Sequence, residues 1–235
     1  MKNCIIASTS TIHGGAYLEY ILPHLQELFV NCKSLLFIPY ARPGGISHEE
    51  YTDLVANAFK KIGIIVEGIH KFENPAEAIK QAEAIFTGGG NTFLLVKELY
   101  QNNVIDVLAE AVKGGTPYLG TSAGSNITGL SMQTTNDMPI VYPPSFQTLG
   151  LVPFNINPHY LDPDMQSKHM GETRETRIKE FHQFNSLPVV GLREGSWLEV
   201  KDATIILKGD LPARLFKKGL QPVELAPGSD LSNLN

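Results

Sequence analysis

The sequence predicts an α/β fold in which helices cover a mostly parallel central sheet. Short runs of apolar and β-branched residues alternate with longer stretches that place apolar side chains at helical spacing. Strands and helices that alternate in this way form right-handed βαβ units, so the strands are expected to lie parallel in one sheet. Near the carboxyl end, short runs follow one another without intervening helices and predict an antiparallel region.

The first half of the chain supplies the predicted parallel strands and their helices. Strands are predicted at residues 4–8, 35–40, 64–69, 84–87 and 117–120. Helices are predicted at residues 15–31, 47–63, from 74 onward, and over 92–112. Ser47 followed by Glu50 forms a capping-box pattern. Asn74 before Pro75 supplies a second cap with proline in the first turn.

The second half is predicted to be less regular. Residues 134–160 are rich in Pro, Asn and Thr, which indicates an ordered loop with short strands, and a helix is predicted over 173–184. Short strands are predicted at residues 189–192, 197–200, 204–207 and 213–216. We expect one domain over residues 1–235, with a frayed polar tail after Pro227.

Composition and charge exclude several classes of protein. The chain has 235 residues, 43% hydrophobic and 18% charged, which is ordinary for a globular protein. A net charge of −5 without basic runs argues against binding of nucleic acid or of an anionic membrane. No apolar run approaches the length of a membrane span. The apolar run nearest the amino terminus, residues 4–7, is too short for the core of a signal peptide. A cytoplasmic protein is therefore expected. The oligomeric state expected is a monomer or homodimer, a choice that the sequence does not fix.

The two cysteines, Cys4 and Cys32, lie in or beside apolar segments and lack metal-ligand spacing. We predict that both are small core residues, with a redox or metal role as the lesser alternative.

A nucleophile-elbow pattern, G-x-S-x-G, spans residues 120–124. In this motif a serine lies on a strained turn between a strand and a helix, and the flanking glycines let neighbouring backbone pass close by. The apolar segment before Ser122 and the helix-compatible segment after it fit this context. The pattern alone is weak, and a glycine-rich turn with a buried hydroxyl is the alternative.

A glycine run, Gly88 to Gly90, ends the preceding predicted strand and leads directly into a helix. Backbone N–H groups and the positive helix end would then face the same place. We predict an oxyanion hole with donors from Gly90 and Ala123. A phosphate-binding loop is the alternative, but neither a Walker lysine nor a dinucleotide-binding pattern accompanies the glycines.

A serine nucleophile needs a base, and His159 is the candidate because it follows a rigid proline in a loop between strand-like segments. His169 stays open as a second candidate. Five other histidines are predicted at the surface: His13, His24, His48, His70 and His182.

Two acids compete to orient the imidazole. Glu194 follows a predicted strand, and sites in open α/β sheets gather at the carboxyl ends of strands. This favours Glu194, leaving Asp137 to order the site or contact substrate. Either acid could instead be an exposed turn carboxylate.

Together these segments resemble the dipeptidase E family, the α-aspartyl dipeptidases. The resemblance extends from the first strand to about Val200 and is carried by five segments: GGGNT at 88–92, TSAG at 121–124, TTNDMPI at 134–140, NPH at 157–159 and GETRE at 171–175. Taken in this order, TTNDMPI and GETRE are highly specific.

The resemblance implies a flavodoxin-like sandwich similar to class I glutamine amidotransferase domains. It implies a serine peptidase without metal or cofactor that cleaves dipeptides with N-terminal aspartate. By position, Ser122 matches the nucleophile, His159 the base, Glu194 the triad acid and Asp137 a further important acid. Arg174 matches the arginine that binds the aspartyl carboxylate, a role that suits a bidentate guanidinium. Alternatively, Arg174 belongs to a solvated ladder of charges at a helix start.

Two residues depart from the family pattern and bear on pocket shape and fine specificity. Thr121 stands where close relatives have an aromatic residue, and Arg193 stands where they have proline. TSAG is also similar to cyanophycinase, which cleaves β-aspartyl links. A glutamine amidotransferase would need cysteine in place of Ser122. A non-catalytic binding module on the same scaffold is a further alternative.

Overall fold

The computed structural model describes residues 1–163 and 171–234. The described strands are β1 Asn3–Ala7, β2 Ser34–Ile38, β3 Ile65–Gly68, β4 Ile85–Thr87, β5 Tyr118–Thr121, β6 Asn155–Asn157, β7 Val189–Gly191, β8 Trp197–Lys201, β9 Thr204–Lys208, β10 Ala213–Phe216 and β11 Val223–Leu225. The helices are α1 Leu22–Leu28, α2 His48–Phe59, α3 Pro75–Gln81, α4 Thr92–Gln101, α5 Ile105–Gly114, α6 Ala123–Asn126 and α7 Arg174–Phe184.

The central sheet has the strand order β3-β2-β4-β5-β1-β8-β9. The strands from β3 to β1 pair in parallel, and β8 and β9 add an antiparallel edge. Successive residues of β1 point to opposite faces: Cys4 and Ile6 belong to one apolar cluster, Ile5 and Ala7 to another. The sheet therefore has an apolar core on each face, which confirms the predicted α/β sandwich with a mostly parallel sheet.

A second sheet has the order β11-β10-β7-β6. β6 and β7 are parallel, with Asn157 opposite Gly191, whereas β10 pairs antiparallel with both β7 and β11. The predicted carboxyl-terminal antiparallel region thus divides between the two sheets. The parallel β6–β7 pair brings the residues that follow each strand to the same end of this sheet.

Local capping explains several helix boundaries. The Ser47 and Glu50 side chains form the predicted capping box at the start of α2, and Gly63 (φ 76°) ends the 3-10 turn that follows it. The Asn74 side chain accepts a hydrogen bond from the Glu77 amide at 3.1 Å and starts α3. Both helix starts were therefore readable from the order of a few polar residues.

Two predicted helices differ in length from those in the structure. The stretch 92–112 forms two helices, α4 and α5, because Asn103 adopts a left-handed conformation (φ 54°) between them. The stretch 15–31 yields only a 3-10 turn and the short α1, because Leu18 is also left-handed (φ 56°). Helical periodicity identified the buried faces but not these interruptions.

The expectation of a frayed tail is wrong for the described residues up to 234. Leu231 is 1% exposed, its amide donates to the Ile205 carbonyl at 2.8 Å, and Asp230 forms a bridge with Ile206. The tail therefore packs along β9. In the described part of the chain, no helix is long and apolar enough to cross a membrane.

Candidate active site

Ser122 lies on the turn between β5 and α6 with φ 54° and ψ −112°. A side chain at Gly124 would overlap the Thr87 carbonyl oxygen, and one at Gly120 would come within 2.5 Å of the Gly124 carbonyl oxygen. A side chain at Gly89 would lie 2.9 Å from the Ser122 Cβ. The glycines therefore let three backbone segments converge on the serine, as the nucleophile-elbow geometry requires.

The side chains of Ser122, His159 and Glu194 form a continuous hydrogen-bonded chain. Ser122 Oγ lies 2.9 Å from His159 Nε2, and His159 Nδ1 lies 2.7 Å from Glu194 Oε1. The His159 and Glu194 side chains are 35% and 44% exposed, so the imidazole is open to a substrate from solvent. This order of hydroxyl, imidazole and carboxylate is the arrangement that activates a serine nucleophile.

The parallel β6–β7 pair explains why His159 and Glu194 meet. His159 follows β6 and Glu194 follows β7, so both leave the second sheet at the same end. Ser122 leaves the central sheet after β5, and its amide donates to the Ala7 carbonyl of β1 at 3.2 Å. The hydrogen-bonded chain of these three side chains thus lies where the carboxyl ends of strands from both sheets converge.

His159 has a left-handed backbone, φ 52°, that the surrounding structure must hold in place. Its amide donates to Ser8 Oγ at 2.9 Å, and the Ser8 hydroxyl donates to the Leu192 carbonyl at 2.8 Å. The next amide, that of Tyr160, donates to the same carbonyl at 2.9 Å. Ser8 was not identified as a site residue from the sequence. Its position directly after β1 could have indicated this, because sites in open α/β sheets gather at the carboxyl ends of strands.

The segment before His159 is held by the loop that contains TTNDMPI. Asn136 Nδ2 donates to the Pro158 carbonyl at 2.7 Å, and Asn157 Nδ2 donates to Asn136 Oδ1 at 2.8 Å. Asn157 Nδ2 also donates to the Thr134 carbonyl at 2.8 Å. These asparagines, which sequence reasoning did not single out, give the motif a structural purpose because they position the histidine loop.

Asp137 lies in the same loop but turns toward α4. Its Oδ2 accepts hydrogen bonds from the Thr92 amide at 2.7 Å, from Thr92 Oγ1 at 2.6 Å and from Thr135 Oγ1 at 3.0 Å. Among the described residues, the hydrogen-bond partner of the imidazole is Glu194 and not Asp137. The carboxylate of Asp137 therefore caps the first turn of α4, where its charge favours the positive helix end.

Gly90 and Ala123 carry the amides predicted to bind an oxyanion. The neighbouring amides are occupied: Gly89 donates to the Tyr51 hydroxyl at 3.0 Å, and Asn91 donates to the Ala41 carbonyl at 2.7 Å. Within the described ranges, neither the Gly90 nor the Ala123 amide has a hydrogen-bond acceptor. Both amides are thus available to a ligand near Ser122.

Arg174 is the first residue of α7, and the Thr173 side chain caps that helix. Its guanidinium is half-buried, and burial together with Arg177 lowers the pKa of Arg174, while Asp137 raises it. In residues 1–163 and 171–234, Arg174 forms no ion pair. Arg174 therefore lies within the electrostatic reach of Asp137 in the TTNDMPI loop.

The remaining titratable candidates take other places. His182 is 6% exposed with Nε2 2.9 Å from the Leu187 carbonyl, so the prediction of a surface residue is wrong there. His169 lies outside the described residues. Cys4 is buried, as predicted, and burial raises the pKa of its thiol to about 12; Cys32 is only half-buried. No cluster of potential metal ligands occurs within the described residues.

Known proteins resemble this chain over most of its length. The family model described as "Peptidase family S51" matches residues 4–208. Peptidase E of Streptomyces coelicolor is 50% identical over 99% of this chain and 94% of its own length. A Drosophila melanogaster protein named probable alpha-aspartyl dipeptidase is 48% identical over 99% of this chain and 97% of its own.

The solved structure of a peptidase from an acI-B1 Actinobacterium superposes with a TM-score of 0.70 at 18% identity. The alignment covers 98% of this chain and 96% of that one. At this identity the likeness establishes the fold, which is the class I glutamine amidotransferase-like sandwich expected from the resemblance. The extent of the family match and the identity to the relatives establish more: the chain belongs to peptidase family S51.

Proposed function

We propose that this protein is a serine dipeptidase that hydrolyses dipeptides with an N-terminal aspartate through an acyl-enzyme on Ser122. The observation that supports this proposal most strongly is the hydrogen-bonded chain from Ser122 through His159 to Glu194. The name of the Drosophila melanogaster relative, probable alpha-aspartyl dipeptidase, points to the same substrate class. The two cysteines, which are free, fit a reducing compartment, and we place the enzyme in the cytoplasm.

His159 is the general base of the first step. Nε2 accepts the Ser122 proton while Oγ attacks the peptide carbonyl carbon, and Glu194 stabilises the imidazolium that forms. The tetrahedral intermediate collapses as the imidazolium passes its proton to the leaving amine of the second residue. Water, deprotonated by the same imidazole, then hydrolyses the aspartyl ester and releases Ser122.

The oxyanion is stabilised by the amides of Gly90 and Ala123. Ala123 directly follows Ser122 at the start of α6, and Gly90 follows Gly89, where a side chain would lie 2.9 Å from the Ser122 Cβ. Such donors act mainly on the transition state, because negative charge develops on the carbonyl oxygen only as the serine attacks. Loss of one donor of this kind costs about 10²–10³ in kcat in enzymes of this type.

Arg174 binds the β-carboxylate of the substrate aspartate. Its guanidinium offers a planar pair of donors, and its partial burial strengthens a charge-assisted hydrogen bond. We place Asp137 beside this pocket as a carboxylate that orders the loop and sets the local field. A dipeptide with asparagine in place of aspartate would offer Arg174 no negative charge.

The substitution Ser122→Ala tests the central step. Hydrolysis of Asp-Leu, followed by release of leucine, is expected to fall by at least about a thousandfold, because the nucleophile is removed. Ser145→Ala, which removes a loop hydroxyl that caps only the Gln147 amide among its described contacts, is the matched control. Hydrolysis of β-Asp-Leu, measured in parallel, tests the cyanophycinase-like alternative. Undiminished turnover by Ser122→Ala would rule the scheme out.

Arg174→Ala tests the specificity. We expect kcat/KM for Asp-Leu to fall about tenfold to a hundredfold, which corresponds to one lost charge-assisted hydrogen bond, while the low activity on Asn-Leu changes little. Arg177→Ala is the matched control because Arg177 lies on the same helix, is 53% exposed and contacts only Glu172, at 3.9 Å, among its described ion pairs. An Arg174→Ala variant that keeps the preference for aspartate would exclude this role.

A further inference from the structure

Arg193 uses all of its hydrogen-bonding capacity. Nε and one terminal nitrogen donate to the two oxygens of Asp162 at 2.8 and 2.7 Å. Both terminal nitrogens donate to Glu224, at 2.8 and 3.1 Å, and one also donates to the Pro212 carbonyl at 2.7 Å. A guanidinium has five N–H groups, so every donor is satisfied.

These contacts join the two chain segments that carry the base and the acid of the triad. Arg193 directly precedes Glu194, and Asp162 lies three residues after His159. The Arg193 guanidinium also lies over the ring of Tyr160, 5.5 Å from its centroid, and that ring is buried. The guanidinium therefore connects the segment that follows His159 to the residue that precedes Glu194.

The backbone of His159 needs contacts that hold it in place on its carboxyl-terminal side. The residue holds a left-handed backbone conformation, which persists only when neighbouring contacts fix it. On the amino-terminal side, Asn136 and Asn157 supply those contacts. On the other side, the chain is held by the Tyr160 amide and then by the pair of Asp162 with Arg193.

The ion pairs of Arg193 with Asp162 and Glu224 are partly shielded from water. The Arg193 side chain is 13% exposed, compared with 50% for Asp162 and 43% for Glu224. The guanidinium holds the pKa of the Asp162 carboxyl below its usual range and does the same for Glu224. Because the contact is bidentate on a half-buried cation, it fixes geometry more firmly than a single surface ion pair would.

We propose that Arg193 is a positioning residue that sets the His159–Glu194 contact by clamping Asp162 to the turn after β7. This inference rests on the proposed function, in which that contact activates Ser122. The described hydrogen bonds of the Arg193 side chain go to Asp162, Pro212 and Glu224, and none goes to Ser122 or His159. Its contribution is to keep the imidazole at the distance and angle at which Ser122 loses its proton.

The substitution Arg193→Met keeps the stem of the side chain and removes the clamp. We expect kcat for Asp-Leu to fall about tenfold to a hundredfold, as a displacement of about 1 Å at a reacting group does, while KM changes less than about threefold. The rate at which a fluorophosphonate probe modifies Ser122, followed by intact-protein mass spectrometry, should fall by a similar factor. That probe needs the serine and its base but not Arg174.

Arg214→Met is the matched control. Arg214 shares Glu224 with Arg193 and binds Glu224 and Glu175 at 2.9 Å each, but among its described ion pairs none is with Asp162. Its kcat and probe rate should stay within about threefold of the wild type. An equal loss in Arg214→Met would overturn the inference, because the effect would then belong to the cluster as a whole.

Asp162→Asn provides a second route should Arg193→Met fold poorly, since Asp162 is half exposed. Asp162→Asn should lower the rate at which the probe modifies Ser122. Adding Arg193→Met to Asp162→Asn should lower that rate by a smaller factor than Arg193→Met does in the wild type, because coupled residues are not additive. A wild-type probe rate in either single variant would overturn the inference. A wild-type protein whose Ser122 ignores both probe and dipeptide would instead contradict the proposed function itself.

Discussion

The backbone of Ser122 occupies a region of φ and ψ that residues with side chains rarely adopt. His159 also has positive φ, so both partners of the hydrogen bond between hydroxyl and imidazole have uncommon backbone conformations. Strain of this kind persists where many contacts determine the local structure. Here, those contacts are the close approaches around the elbow glycines and the hydrogen bond that the His159 amide donates to Ser8 Oγ.

Glu194→Gln tests the residue that orients the imidazole. Glutamine keeps the size of the side chain but loses the charge that stabilises the imidazolium, so kcat for Asp-Leu should fall about a hundredfold or more. Steady-state hydrolysis measures this loss, and KM should change little. Glu199→Gln is the control, since Glu199 lies on β8 and pairs with Lys201 at 3.2 Å. A Glu194→Gln variant with unchanged kcat would exclude the carboxylate from the triad.

At the scale of elements, the amino-terminal end of α4 links several parts of the site. The helix starts after the glycine loop, and Asn91 caps it through its side chain, which accepts from the Leu94 amide at 3.1 Å. The same side chain donates through Nδ2 to the carbonyl of Met138, the residue after Asp137, at 2.9 Å. One helix end therefore fixes both the proposed oxyanion loop and the loop that holds His159.

Asp137→Asn tests this structural role against a role as the triad acid. Loss of the charge at the start of α4 should lower the free energy of unfolding by about 0.5–2 kcal/mol, as for other helix caps. Because Asp137 contacts Thr92 and not the imidazole, kcat should fall less than about tenfold. Urea denaturation and Asp-Leu hydrolysis measure the two effects. A kcat loss equal to that of Glu194→Gln would contradict this assignment.

The sequence predicted elements best where side-chain chemistry acts locally. The capping box of Ser47 and Glu50, and the elbow at Ser122, depend on neighbours within a few residues. The division of 92–112 into two helices was missed because Asn103 is a position where left-handed backbone is tolerated but not required. Helical periodicity continues across such a break, so apolar spacing alone does not reveal it.

At the scale of the whole molecule, the site joins two sheets. The elbow and Ser8 belong to the central sheet, whereas His159 and Glu194 follow strands of the second. The existence of a second sheet was not predicted, because β6 has only three residues and the sequence does not state which strands it pairs with. Long-range contacts such as Asn136 with Pro158 depend on that pairing. For the same reason, residues alone could not decide between Glu194 and Asp137.

The packed tail yields a test of the whole fold. Leu231→Ala should lower the free energy of unfolding by about 2–5 kcal/mol, because it empties a buried position against β9. Leu220→Ala is the control: Leu220 is 66% exposed, and its loss should change stability by less than about 0.5 kcal/mol. Urea denaturation of both variants measures the difference. Equal midpoints for Leu231→Ala and the wild type would show that the tail does not contribute to the core.

The covalent intermediate on Ser122 offers the most direct test of the account. The Glu194→Gln variant, slowed in both steps, is mixed with an activated aspartyl ester, quenched in acid, digested and analysed by mass spectrometry. The account predicts one aspartyl group attached to the peptide that contains Ser122, and none in a Ser122→Ala protein treated in the same way. An aspartyl adduct on another residue, or turnover of the ester by the Ser122→Ala protein at the wild-type rate, would contradict it.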